Sequence, residues 1–204
     1  MVFLKSVIMT WYGLLLNNKS NRLRENMKTV GSVLGEFKVT GVNPDNTFFD
    51  IDSSSFLGNW KVIVFYPKDF TFVCPTEIVA YDALHEEFEA RGATLLIGST
   101  DNEFCKVAWK ESDPQLKNLK SIMFADTRRG SWDGSLSEDL GVFSYTEGAA
   151  LRATFIVDPN NIIQHASVNN LNVGRNADET LRLLDALQTG EKTACSRPIG
   201  GATL

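Results

Sequence analysis

The sequence predicts an α/β fold, a mixed central sheet flanked by helices, and three observations carry that prediction. The continuous apolar and β-branched runs "WKVIVFYP" (60–67) and "ATLLIGST" (93–100) have the pattern of strands buried on both faces. Stretches of helical period separate the strands. The segment "LRATFIVDPNNIIQHASV" (151–168) reads as two strands joined at the turn "DPNN", so the alternation closes on a hairpin.

Each element follows from its own residues. After the first strand, a helix is expected over about 75–91, with Ile78, Tyr81, Leu84 and Phe88 on one stripe and Gly92 as its stop. The second strand, 93–100, is followed by Asp101 or Asn102 as the cap of a helix carrying Phe104, Val107 and Ala108. "SIMFAD" (121–126) is a third, shorter strand. Beyond the hairpin, "NADE" opens a last helix with an Asn-x-x-Glu capping pattern and buries Leu181, Leu184 and Leu187. The order β-α-β-α-β-β-α is that of a thioredoxin-like fold. From 191 to 204 the periodicity stops, and "EKTACSRPIGGATL" reads as a mobile tail holding Cys195.

Composition narrows the function. A chain of 204 residues, 43% hydrophobic and 22% charged, suits one domain with its own core. The expected organisation is an N-terminal extension (1–26), a domain (27–190) and the tail (191–204). The extension is basic and acid-poor before Glu25, and its apolar stretch 7–16 is too short to span a bilayer. It reads as an upstream extension with Met27 as the effective start; an organellar targeting sequence is the other reading of the same composition. A net charge of −5 argues against nucleic-acid and anionic-membrane partners, which need a cationic face. Three cysteines are too few for a disulfide framework, and neither His85 nor His165 forms a zinc-type cluster with them, so no metal or cofactor is expected. Sparse cysteines suit a reducing compartment, hence a cytoplasmic location.

The chemistry concentrates at "FTFVCPTE" (70–77). With Pro75 as the first helical residue, Cys74 takes the N-cap, where unpaired N–H groups and the positive end of the helix dipole favour a thiolate. A free thiol of pKa ~8.5 is only about 3% ionised at pH 7, and lowering such a pKa to about 6 requires roughly 3.4 kcal/mol. A helix terminus supplies about 0.3–2 kcal/mol, so a fixed cation has to supply the rest. Glu77, one turn on, makes the need stronger. Arg152 and Arg175 are the candidates. His85, eleven residues along the same helix, would lie about 16 Å away and cannot act as a base. A Cys-x-x-Cys exchanger is excluded too, because the sequence reads Cys-Pro-Thr-Glu. Cys105, beside Phe104 on a helix, fits core packing.

"PKDFTFVCPTE" (67–77) resembles the peroxidatic-cysteine motif of the peroxiredoxins. "RATFIVDPNNIIQ" and "VGRNADETLRLLDALQ" resemble the arginine-bearing strand and last helix of that family, and the likeness is strongest to the alkyl hydroperoxide reductase C type of bacteria. The resemblance implies a thiol peroxidase that reduces hydrogen peroxide and small organic hydroperoxides through a cysteine sulfenic acid. It implies Cys74 as the peroxidatic thiolate, Thr71 as the hydroxyl that binds thiolate and peroxide, and Pro67 as the shield from water. Arg152 matches the guanidinium that stabilises the thiolate, with Glu77 and Arg175 fixing that polar network. The family's usual resolving cysteine falls at Thr193, two residues before Cys195, which makes Cys195 the candidate resolving thiol and leaves Cys105 as the other. Implied partners are a dithiol reductant, either thioredoxin or a dedicated alkyl hydroperoxide reductase partner, and a second copy of the chain. The segment "RRGSWDGSLSEDLG" (128–141) is longer than the family pattern, so a homodimer is expected and a ring of dimers is left open. A redox-switched holdase chaperone on the same fold is the alternative function.

Overall fold

The computed structural model describes residues 28–127 and 135–204. Expectations about residues 1–26, and about the first half (128–134) of the longer segment 128–141, lie outside the described residues. A seven-stranded mixed sheet has the order β2-β1-β5-β4-β3-β8-β9. Its strands are β1 (Lys38–Val42), β2 (Phe48–Asp52), β3 (Trp60–Phe65), β4 (Ala93–Ser99), β5 (Ile122–Ala125), β8 (Arg152–Val157) and β9 (Ile163–Asn169). The helices are α1 (Cys74–Asp82), α2 (His85–Ala90), α3 (Glu103–Ser112), α4 (Leu136–Asp139) and α5 (Ala177–Gln188). β3, β4 and β5 run parallel, while β8 returns antiparallel to β3 and pairs with β9 across the expected hairpin.

Alternation along the buried strands divides the core between the two faces of the sheet. Val62, Val64 and Tyr66 face α1, α3 and α5 with Ile78, Tyr81, Trp109, Leu181 and Leu184. Ile63 and Phe65 face the other way, where the Phe65 ring meets Phe124 and Phe155 edge-on at 5.2 and 6.3 Å.

Five local features differ from the sequence expectation. The hairpin of β1 and β2 and the short pair β6 (Phe143–Ser144) and β7 (Ala149–Ala150) are absent from that expectation, since each run is only two to five residues long. The first strand ends at Phe65, because Pro67 has no N–H for a ladder. The helix expected over 75–91 is two helices. At the break, the Leu84 N–H turns to the Tyr81 carbonyl, and the Asp82 carboxylate accepts the Lys120 and Ser121 N–H groups at 2.9 and 2.7 Å. The tail is not free of structure. It folds onto α5, where Arg197 is 6% exposed.

Asp126, just after β5, accepts the Leu136 and Ser137 N–H groups of α4 at 2.7 and 2.8 Å. Burial outweighs these bonds and raises its pKa from 3.8 to about 6. A raised folded-state pKa contributes stability that is present below pH ~4 and is lost as pH rises through about 6. Asp126→Asn, which does not titrate, is therefore expected to lose less stability than wild type between about pH 4.5 and 7.5, by on the order of 2 kcal/mol. Urea unfolding at several pH values checks this; parallel pH profiles for the two proteins would contradict it.

Candidate active site

Cys74 begins α1 and is 1% exposed. Val73, not Cys74, is the N-cap, and Pro75 is the second helical residue rather than the first. The reason is that Val73 is already helical (φ −81°, ψ −38°), and its carbonyl accepts the Thr76 hydroxyl at 2.6 Å and the Glu77 N–H at 3.4 Å. Pro75 still occupies a first-turn position whose N–H would have no helical partner. No side-chain bond caps this end of α1, and the thiol remains in the first turn, within reach of the helix dipole.

The sheet brings the cation to the sulfur. β3 pairs with β8 so that Val64 faces Thr154, and β8 begins at Arg152 where β3 passes into the loop leading to Cys74. Arg152 Nη1 donates to Cys74 Sγ at 3.5 Å and to Glu77 Oε2 at 2.5 Å, while its Nε donates to the Leu171 carbonyl at 2.7 Å. Glu77 Oε1 accepts the backbone N–H and the Nε of Arg175 at 3.0 and 2.8 Å. Arg175 Nη1 donates to the Ala153 carbonyl and Thr154 Oγ1, and its guanidinium lies over the Tyr81 ring at 5.6 Å. The three charged side chains are 3–5% exposed. Two guanidiniums against one carboxylate leave one positive charge, and Arg152 presents it to Cys74. Glu77 therefore does not oppose a thiolate as its sequence position suggested, because Arg175 balances it.

The loop before Cys74 is tied down by groups the sequence reading missed. Asp69 accepts the Tyr66 and Ser99 hydroxyls at 2.7 and 2.9 Å and faces Lys106 Nζ at 3.3 Å, and its own N–H donates to Asp101 Oδ2 at 2.7 Å. Lys106 is fully buried; burial pushes its pKa down, and Asp69 and Asp101 act against that push. Asp69 lies inside the motif, but a lysine on α3 gives no local signal of burial, since lysines are almost always at the surface.

Pro67 is buried beside this network. The Thr71 hydroxyl donates to the Lys68 carbonyl at 3.0 Å rather than to the thiol. Phe70 takes a left-handed φ of 56° and packs on Trp109 at 5.8 Å, and Phe72 is 96% exposed. Neither histidine serves Cys74: His85 Nδ1 bonds Ser121 Oγ, and His165 sits on β9, where burial lowers its pKa and Glu179 opposes the shift. All three cysteines are free. Cys105 is half-buried on α3, and Cys195 is exposed in a groove beside Arg182, Leu183 and Ala186 of α5, apart from the Cys74 cluster. Among the described residues, no group of three or more His, Cys, Asp or Glu side chains is placed to hold a metal ion.

This architecture and its arginine-bound thiol are those of a thiol-dependent peroxidase built on the thioredoxin fold. Residues 30–166 match the model of the AhpC/TSA family, and the chain belongs to that family. It is 47% identical to alkyl hydroperoxide reductase C of Mycolicibacterium smegmatis over 167 residues, 82% of this chain and 83% of the relative. The solved structure of Mycobacterium tuberculosis AhpC superposes with a TM-score of 0.73 at 42% identity, covering 82% of this chain and 97% of that one. Reduced Plasmodium vivax 2-Cys peroxiredoxin superposes with a TM-score of 0.78 at 34% identity, covering 85% and 91%. The holdase alternative is not favoured by these relatives. Arg175 and Cys195 lie beyond the residues matched to the family model.

Two substitutions separate the charges. Arg152→Met is expected to slow oxidation of the enzyme by peroxide about 100-fold or more, as loss of a donor at a developing charge does. Stopped-flow fluorescence measures it, and a wild-type rate would show that Arg152 is not the activating cation. Glu77→Gln leaves two buried guanidiniums without their counter-charge and should cost about 3–5 kcal/mol of stability in chemical denaturation; an unchanged midpoint would contradict the shared role of that carboxylate.

Proposed function

We propose that Cys74 is the peroxidatic nucleophile, that hydrogen peroxide and small organic hydroperoxides are its substrates, and that Cys195 is the resolving thiol. The observation that carries this reading is the Arg152 guanidinium bridging Cys74 Sγ and Glu77. The thiolate attacks one peroxide oxygen, the O–O bond breaks, and water or an alcohol leaves after taking a proton, which yields the Cys74 sulfenic acid. Arg152 and the first-turn N–H groups of α1 stabilise the charge that develops on the sulfur–oxygen axis, where fixed donors act best in the transition state. Thr71 already donates to a carbonyl, so its oxygen is free to accept the peroxide O–H. Pro67, buried at the mouth of the loop, keeps bulk water from the thiol. Exclusion of large substrates falls to Pro67 and the burial of Cys74, since Phe70 and Phe72 turn outward.

Resolution follows when the Cys195 thiol displaces hydroxide from the sulfenic sulfur: an S–S bond forms, the S–O bond breaks and water leaves with the thiol proton. A dithiol reductant, thioredoxin or a dedicated reductase partner, then returns both cysteines to thiols. Cys195 lies apart from Cys74 within one chain, which supports resolution across a homodimer. The edge strand β9, with Val168 49% exposed, supports the same dimer, and rings of such dimers remain a further level of assembly. We assign residues 27–190 to the catalytic domain and 191–204 to its tail, because the last helix ends at Gln188. A cytoplasmic setting suits three free cysteines; among the described residues no helix is long and apolar enough to cross a membrane.

Cys74→Ser should abolish peroxide turnover. One equivalent of peroxide should convert wild type into a covalent dimer on a non-reducing gel, and Cys195→Ser should abolish that band while leaving the first oxidation intact. A monomeric Cys74–Cys105 link in peptide mapping would reassign the resolving role to Cys105. Hydrogen peroxide should react faster than a bulky lipid hydroperoxide, and the reverse order would refute the size restriction.

A further inference from the structure

The tail around Cys195 is held on the last helix of its own subunit by one carboxylate. Asp185 Oδ2 accepts Arg197 Nη1 at 2.7 Å and the Gly200 N–H at 3.0 Å. Arg197 Nε donates to the Gly201 carbonyl at 2.8 Å, which closes the tail around that arginine, and Arg182 Nη1 reaches the Arg197 carbonyl at 3.3 Å. The Arg197 side chain is 5% exposed and that of Asp185 18%, so the pair is shielded from solvent far better than an ordinary surface pair. On the far side, Asp185 Oδ1 stands 3.7 Å from Arg91 Nε, a buried group with no hydrogen-bond partner. The Leu204 N–H closes the segment on the Lys192 carbonyl at 2.8 Å. Between these ties Cys195 is exposed, its sulfur 3.7 Å from the Ser196 hydroxyl, and Ser196 has a left-handed φ of 57°. A non-glycine residue in that region is held there by its surroundings at a cost in free energy.

We propose that Asp185 and Arg197 form a latch that parks the Cys195 tail on α5, and that opening this latch gates disulfide formation with Cys74. The inference rests on the reading of Cys195 as the resolving thiol. Chain length carries it. Cys195 stands two positions before Arg197, and two residues of extended chain span at most about 7 Å. While Arg197 stays bound, Cys195 can therefore move only within its own groove. A disulfide needs the two Cα atoms within about 7 Å. Cys74, buried beneath Arg152 and Glu77, does not share the groove. Condensation of the sulfenic acid with the Cys195 thiol of either subunit requires local opening of the Cys74 loop, and release of Arg197 from Asp185 speeds it because the thiol can then approach from beyond its groove. Asp185 and Arg197 are positioning residues for the resolving step; they touch neither the peroxide nor Cys74.

Asp185→Asn and Arg197→Gln in the full chain test the latch from both sides, with Arg197→Lys as the conservative control. After one equivalent of hydrogen peroxide, quenched samples are resolved by mass spectrometry into sulfenic acid, Cys74–Cys195 disulfide and sulfinic acid. Both variants should form the disulfide about tenfold faster than wild type, as expected for loss of one shielded, charge-assisted bond. They should also give less sulfinic acid at high peroxide, with the rate of the first oxidation unchanged and Arg197→Lys close to wild type. Amide hydrogen exchange over 192–204, which needs no resolving chemistry, should speed up in the same variants. Unchanged exchange would show that the pair does not hold the tail and would overturn the latch. Faster exchange with slower or unchanged disulfide formation would overturn the gating, because the tail would then be presented rather than parked. A wild-type protein that forms no Cys74–Cys195 disulfide, while exchange still responds, would refute the resolving role of Cys195 and the gating with it.

Discussion

The placement of Glu77 between two arginines is the constraint on which the rest of the site depends. A buried carboxylate near a thiol would by itself favour the neutral thiol, and a buried guanidinium without a counter-charge would be costly. Together the three groups resolve both problems. Arg175 is held by Glu77, by backbone oxygen and by the Tyr81 ring, and it cancels the carboxylate; Arg152 is held by Glu77 and Leu171 and keeps one N–H for Cys74. Because each partner sits on a different element, the helix α1, the strand β8 and the turn before α5 must all be in place before the cation meets the sulfur.

The loop that delivers Cys74 is anchored at one end and strained near the other. Tyr66, Asp69, Ser99 and Lys106 bind one another in the dry interior, and Asp101 holds the Asp69 backbone. A network of this kind is favourable only when every member is satisfied, so it fixes the position of Pro67 and Asp69 sharply. Four residues before the thiol, Phe70 adopts a left-handed backbone. A rigid foot followed by a strained segment confines local opening to the stretch next to Cys74, which is where the proposed reaction needs it.

The second thiol poses the opposite problem. Cys74 is buried and in the proposed reaction has to emerge, whereas Cys195 is exposed and in that reaction has to leave its groove. One charge pair joins the tail to α5, and a charge triad lies against Cys74. The two cysteines thus lie near similar interactions at different degrees of burial: 3–5% exposure for the Glu77 cluster, 5–18% for the Arg197–Asp185 pair.

Local sequence determined the main elements and pointed to Cys74 as the candidate nucleophile. Apolar runs named the strands β3, β4, β5 and β8, helical stripes named α1, α3 and α5, and the shortfall between a helix dipole and an ionised thiol called for a cation near Cys74. The residues offered Arg152 and Arg175 as that cation, and motif likeness gave Arg152 to the thiolate and set Glu77 and Arg175 in one polar network. Tertiary structure alone decided that Arg175 neutralises Glu77, that a fully buried Lys106 anchors the loop, that Thr71 bonds Lys68, and that the tail lies on α5. The division has a physical reason. Periodicity and helix-end chemistry act between residues a few positions apart, and the sequence displays them directly. Whether a charge is paired, buried or free depends on side chains that the fold brings together from 37 to 98 positions away, as Lys106 with Asp69 and Arg175 with Glu77.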